Sequence, residues 1–228
     1  MRTAIILLFL IAGLPAQADT IAIIGTGNVG GALGPAFAKQ GHTITYGSRD
    51  PSRDSVQDLV ARSGDGASAT TPAAAAASAD IVVLAVPGML VEEITKGLGD
   101  LSGKIIIDPT NALRRNSNGI FEPAVATSNA ELIQEAAPES YVVKAFNALN
   151  WKTMVDPASS GGPVSIPLVG NDKNAKKVVA TLVEGMGLEA IDVGPVQNAR
   201  WVEGMLVLWI NNQYADGPAF DFHLRKTP

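Results

Sequence analysis

Thr20-Ile21-Ala22-Ile23-Ile24 runs directly into Gly25-Thr26-Gly27-Asn28-Val29-Gly30, and no other stretch of the chain restricts its fold so tightly. A short β-rich apolar run that ends in glycine reads as a buried parallel strand. Gly25 permits the tight turn out of that strand. Gly27 lets the backbone approach a pyrophosphate, and Gly30 lets the following helix pack against the strand. The helix, ending near Gln40 with Gly41 as its stop, presents free N–H groups and the positive end of its dipole to the phosphates. A lone GxGxxG is weak evidence. This one follows a strand, opens a helix and precedes a second strand, residues 42–46, at βαβ distance. The expectation is a dinucleotide site. Pro35, beyond the first turn of the helix, predicts a kink that Gly31 and Gly34 absorb.

The rest of the chain alternates in the same way. Helices are expected at 51–62 (Val56, Leu59 and Val60 on one face), at the alanine run 73–77, at 90–98, at 128–137 and at 174–185. Ser128 and Glu131 stand at capping-box positions. Strands are expected at 81–86, 104–108, 141–146, 165–169 and 188–193. Residues 195–214 read as a long helix with Pro195 in its first turn, and Trp201, Met205, Leu208 and Trp209 as its core-facing stripe, a pocket wall being the alternative. Strands alternating with helices imply an α/β fold of Rossmann type, doubly wound, with a mostly parallel sheet covered on both faces. A dinucleotide-binding domain over 19–150 is followed by a small C-terminal α/β extension, 151–228, in the same compact unit, which completes the acceptor pocket.

The end of the second strand bears on which nucleotide is taken. NAD sites usually place an acid there, about 20 residues past the loop, on the ribose hydroxyls. This chain has Gly47-Ser48-Arg49, with Arg53 one turn on. Ser48 can donate to a 2′-phosphate, Arg49 can pair with it or stack on adenine, and Arg53 adds positive charge. Asp50 tempers the argument, and a solvated charged turn is the competing reading. NADP is expected over NAD.

Composition excludes much else. Of the 228 residues 46% are hydrophobic and 17% charged, too apolar for disorder. A net charge of −5 argues against nucleic acid as a partner. Zero Cys and two His leave no thiolate chemistry and almost nothing for a metal site or a His-based triad. The chemistry therefore belongs to a bound cofactor, and no catalytic or metal-ligating residue is nominated. His42 reads as structural, and His223 has no assigned place. Lys144 reads as strand packing or surface, with a pocket-facing role as the alternative, and Arg200 with Glu203 as a helix ion pair.

Residues 1–18, MRTAIILLFLIAGLPAQA, have the three zones of a secretory signal peptide: Arg2, an apolar run too short to span a bilayer, and a small-x-small site ending at Ala18. Cleavage would start the mature chain at Asp19 and place it in the periplasm or outside the cell, with no membrane insertion. Retention of the segment would leave it in the cytoplasm. An exported chain would have no obvious source of NADP.

The segment IAIIGTGNVGGALGPAFAKQGHTITYGSRDP resembles the NADPH-dependent coenzyme F420 reductases and the oxidoreductase domains of the STEAP ferric reductases. The resemblance continues through ADIVVLAVP, KIIIDPTN, VVKAFN and the stretch 167–205. It implies that Thr26, Gly27, Asn28 and Val29 line the pyrophosphate and that Ser48, Arg49 and Arg53 hold the 2′-phosphate. It also implies that Ala85, Val86 and Pro87 border the ribose and nicotinamide, with Ala145 and Asn147 near the carboxamide. The implied activity is hydride transfer between NADPH and a small-molecule electron acceptor, coenzyme F420 or a flavin. A ferric or flavin reductase and a dinucleotide-binding protein without turnover are the alternatives. A homodimer is a further implication.

Overall fold

The computed structural model describes residues 18–227 apart from Asp216 and Ala219. The expected leader, save for Ala18, lies outside the described residues. β1 (Thr20–Ile24) leads through the glycine loop into α1 (Asn28–Ala38) and then β2 (Thr43–Gly47). α2 (Asp54–Arg62), β3 (Ser68–Thr70) and α3 (Pro72–Ala77) follow. Next come β4 (Ile81–Leu84), α4 (Val91–Lys96) and β5 (Ile105–Asp108). A short hairpin, β6 (Leu113–Arg115) and β7 (Phe121–Pro123), precedes α5 (Asn129–Ala136) and β8 (Tyr141–Lys144). The chain closes with α6 (Trp151–Val155), β9 (Ser165–Gly170), α7 (Lys173–Gly185), β10 (Glu189–Asp192) and α8 (Ala199–Tyr214).

Eight strands form one sheet in the order β10-β9-β8-β5-β4-β1-β2-β3. All pairings are parallel except β8 with β9. From β1 the chain goes to β2 and β3 on one side, then returns to β4 on the other. The gap between β1 and β4 is therefore the topological switch point, where such sheets open a crevice at the strands' carboxyl ends.

The apolar strands have a core on each face. On one face Ile21, Ile23 and Val83 pack with Leu33 and Phe37 of α1, Leu59 of α2, Met154 of α6 and Val179 and Leu182 of α7. On the other face Ala22, Val82 and Ile106 pack with Ala75 and Ala76 of α3, Ala130 and Ile133 of α5, and Ala199 and Val202 of α8. Each fully buried aliphatic side chain contributes about 1.5–3 kcal/mol, so these two layers supply most of the driving force. The alanine run is helical because it needs no side-chain ordering and can lie close to the sheet. Ser128 caps α5, accepting from the Glu131 amide at 3.2 Å and donating to the Glu131 carboxylate at 2.8 Å.

Several expectations need correction. α1 runs through Pro35 to Ala38, close to the expected end near Gln40. Within it, Gly34 has no room for a Cβ, because the buried Tyr46 side chain crosses the helix there. The last helix starts at Ala199, after a 3-10 turn over Val196–Asn198. The stripe expected to face the core does not: Trp201 is 76% exposed and Leu208 61%. Ala199, Val202 and Glu203 form the buried face instead. The predicted Arg200–Glu203 pair is absent, because Arg200 reaches Glu131 on α5 (Nη2–Oε1 2.7 Å, Nε–Oε2 2.8 Å). That guanidinium, with the Ser128 hydroxyl, holds the Glu131 carboxyl below its ordinary range. β3, α6 and the β6–β7 hairpin have no counterpart among the expected elements. The hairpin rests on α8, whose Asn211 carboxamide accepts from the Phe121 amide (2.7 Å) and donates to the Phe121 carbonyl (2.8 Å). His42 is structural: its Nδ1 accepts from the Asp19 amide at 3.1 Å. His223 lies 2.8 Å from the Ser160 hydroxyl.

Candidate functional site

Gly25 leaves β1 with φ +106°, a conformation that only glycine adopts without strain. A Cβ there would also strike the Ala85 carbonyl, so the loops after β1 and β4 lie against each other. At Gly30 a Cβ would strike the Gly25 carbonyl, which is how closely α1 folds back on its own loop. Gly27, the N-cap of α1, differs: a Cβ there meets nothing within 4 Å. No side chain caps this end, and the first turn contains no acid. The start of α1 therefore has no capping side chain, open space beside Gly27 and the positive end of the dipole behind it, as an anion site requires.

The rim beside this loop carries positive charge. Ser48 is buried, and its hydroxyl is committed within the turn, donating to the Asp50 carbonyl (3.0 Å) and accepting from the Asp50 amide (3.2 Å). The Asp50 carboxylate accepts from the Ser52 amide and hydroxyl (3.2 and 2.8 Å). Its charge is thus engaged locally. Arg49 is exposed. Arg53 reaches across from the start of α2, its Nη2 donating to Thr26 Oγ1 at 3.2 Å, so one guanidinium already stands over the glycine loop.

Three further strand-end loops lock together below this point. Gly88 sits so close to Asn111 that a Cβ would overlap the Asn111 carbonyl. Asn111 Nδ2 donates to the Asn147 carbonyl, and Asn147 Nδ2 donates to Asn111 Oδ1, each at 3.0 Å. Asn147 Nδ2 also donates to the Val202 carbonyl of α8 at 3.1 Å. Asn147 Oδ1 is buried and has no hydrogen-bond partner among the described residues. Between Ala145 and Asn147 the chain turns through Phe146 at φ +64°, a strained setting for a bulky residue, held by burial of its ring against Phe37.

Under these loops lies a buried charge cluster. Lys144, fully buried at the end of β8, has Nζ 2.6 Å from Asp108 Oδ2 and 2.7 Å from Glu203 Oε1, and donates to the Thr110 carbonyl at 2.7 Å. The other Asp108 oxygen accepts from the Thr110 amide and hydroxyl (2.8 and 2.7 Å). Glu203 accepts from the Ala112 amide (3.1 Å) and the Asn129 amide (2.9 Å). Burial pushes the Glu203 carboxyl above its ordinary value; Lys144 opposes this, and the Asp108 charge adds to it.

The structure thus brings Gly25, Thr26, Gly27, Asn28, Val29 and Gly30 together with Arg53, and sets Ala85 and Val86 against Gly25. Pro87 is exposed on the adjoining loop. Ala145 is fully buried beneath, and Asn147 joins the floor network rather than the rim. Ser48 stands in the turn instead of presenting its hydroxyl. The sequence favours strand packing or the surface over a pocket for Lys144, offers a helix ion pair for Glu203 and assigns Asp108 no role. A signal was present: two otherwise apolar buried strands, IIID and YVVK, end in opposite charges.

Residues 20–112 match the family model described as NADP oxidoreductase coenzyme F420-dependent. The F420-dependent NADP reductase of Methanothermobacter thermautotrophicus is 31% identical over 208 residues, covering 84% of this chain and 88% of that protein. Metalloreductase STEAP3 of Rattus norvegicus is 26% identical over 196 residues; the match covers 86% of this chain but 38% of that protein. A crystal structure of a candidate F420-dependent NADP-reductase from Arthrobacter sp. FB24 superposes with a TM-score of 0.83 at 33% identity, covering 92% of this chain and all of that one.

Proposed function

The chain belongs to the family of coenzyme F420-dependent NADP oxidoreductases, and on that premise we propose that it binds NADP(H) in the crevice between β1 and β4 and catalyses hydride transfer between that cofactor and a planar-ring acceptor of deazaflavin or flavin type. The observation that carries the reading is the uncapped, sterically open start of α1 at Gly27, with Arg53 reaching over Thr26. In this reading the amides from Thr26 to Gly30 bind the diphosphate, and the Arg49 and Arg53 guanidiniums recognise the 2′-phosphate. Ala85, Val86 and Pro87 border the ribose and nicotinamide. Asn147 Oδ1, a buried acceptor lacking a donor, suits a carboxamide N–H.

When bound, the nicotinamide supplies hydride chemistry. The chain's own task is then to orient two rings and exclude water, which needs no protein nucleophile and little acid–base help. Steady-state oxidation of NADPH with coenzyme F420, FMN and ferric chelates, each in turn, tests the reading. Turnover with F420 or FMN supports it, and turnover with ferric chelate alone favours the metalloreductase alternative. Tight NADPH binding without oxidation by any acceptor leaves a binding protein. No NADPH binding at all removes the proposal.

A further inference from the structure

Lys144, Asp108 and Glu203 make a buried charge cluster where burial by itself gives little stability. Desolvating three charges costs about as much as their attraction returns, and well-packed apolar side chains do as well or better. The cluster lies at the carboxyl ends of β5 and β8, the end of the sheet where a ligand crevice forms. Its bonds run to backbone groups of the loop after β5 (Thr110 and Ala112) and of the start of α5 (Asn129).

Glu203 is the hub. One carboxylate joins α8 to Lys144 of β8, to the Ala112 amide in the loop after β5 and to the Asn129 amide at the start of α5. The residue before it, Val202, offers the carbonyl that receives Asn147 Nδ2. Lys144 in turn clamps the Thr110 carbonyl, which belongs to the same loop as Asn111, the other partner of Asn147 Nδ2. Both acceptors that fix the Asn147 amide group are therefore set by this cluster. Fixing Nδ2 on two acceptors also fixes the direction of Oδ1, the atom left without a partner.

We infer that Glu203 and Lys144 are positioning residues: through Val202 and the 109–112 loop they orient the Asn147 carboxamide, so that its free oxygen recognises the amide of a nicotinamide. This rests on the dinucleotide reading above and adds to it the residues that set nicotinamide recognition from beneath the crevice.

The test compares two ligands on the full chain by calorimetric titration: NADP+, and 2′-phospho-ADP-ribose, which lacks the nicotinamide. Glu203→Gln keeps the shape and weakens the hold on Lys144. It is expected to lower NADP+ affinity about tenfold, the scale of one misdirected hydrogen bond, and to leave 2′-phospho-ADP-ribose unchanged. Asn147→Ala should show the same selective loss, and the double variant should lose no more than either single one, because all act through one bond. Asp108→Asn combined with Lys144→Met and Glu203→Gln removes all three charges together and serves if the single variant does not fold; it too must lose NADP+ selectively.

Unchanged NADP+ binding in the Glu203 variants, equal loss of both ligands, or losses that add to that of Asn147→Ala would overturn the inference while leaving the dinucleotide reading intact. A wild-type chain that binds neither ligand would overturn both.

Discussion

Gly25, Gly27 and Gly30 look alike in the motif and do different physical work. At Gly30 an added methyl would strike the Gly25 carbonyl and lie 3.0 Å from Ile23 Cγ2, so Gly30→Ala should cost about 1–3 kcal/mol of folding stability, measured by urea unfolding. Gly27 has φ −81° and free space, so Gly27→Ala should leave stability unchanged or raise it by about 0.4–1 kcal/mol. The same change should weaken NADPH binding by about 1–3 kcal/mol, because the methyl occupies space that the diphosphate needs to reach the amides. A Gly27→Ala chain that binds NADPH like the wild type would show that the loop is structural only. Beside it, Arg49 is exposed and free to meet a phosphate. Arg49→Ala should weaken NADPH by about 1.5–3 kcal/mol, the range of a charge-assisted hydrogen bond, and leave NADH almost untouched. Fluorescence titration with both cofactors decides this, and an equal loss for both would contradict a 2′-phosphate role.

Among the elements, α1 and α8 show how tertiary contacts settle what local pattern leaves open. Within α1, Gly34 is where Tyr46 of β2 crosses the helix, with its hydroxyl 2.6 Å from that of Ser63. Gly34→Ala should destabilise by about 1–3 kcal/mol through overpacking. Tyr46→Phe removes the nearest clashing atom, so the double variant should recover part of that loss in a thermal double-mutant cycle. Strictly additive losses would mean the contact is not the cause. In α8 the apolar residues surround the helix, and periodicity allows more than one face to be the inner one. Ala199, Val202 and Glu203 turn inward because Lys144, the Ala112 amide and the first amide of α5 wait there for a carboxylate, while Trp201 remains outside. A glutamate on the buried face is the opposite of the usual amphipathic signal.

For the molecule as a whole, one sheet carries every loop of the candidate site, so a ligand in the crevice draws on the cooperativity of the entire fold. NADPH at about one hundred times its dissociation constant should stabilise the chain by about 2.7 kcal/mol, seen as a rise of about 5–10 °C in melting temperature. NADH at the same concentration should give a clearly smaller rise. A melting curve indifferent to both would remove the crevice as a dinucleotide site.

What the chain declares locally is the strand, the glycine loop, the helix behind it and the alternation that makes a doubly wound sheet. Each depends on neighbours within a few turns of backbone, so Gly25, Gly27 and Gly30 are readable before any fold is known. The rim arginines are nearly as legible, though the turn that consumes the Ser48 hydroxyl is not. The buried cluster is different in kind. Asp108, Lys144 and Glu203 are far apart in sequence, and each alone looks like a surface charge. They meet because β8 pairs with β5 and because α8 docks across the loops at their ends. A charge is tolerable in the interior only if its counter-charges and donors arrive from elsewhere, and that arrival is a property of the assembled sheet, not of any one segment.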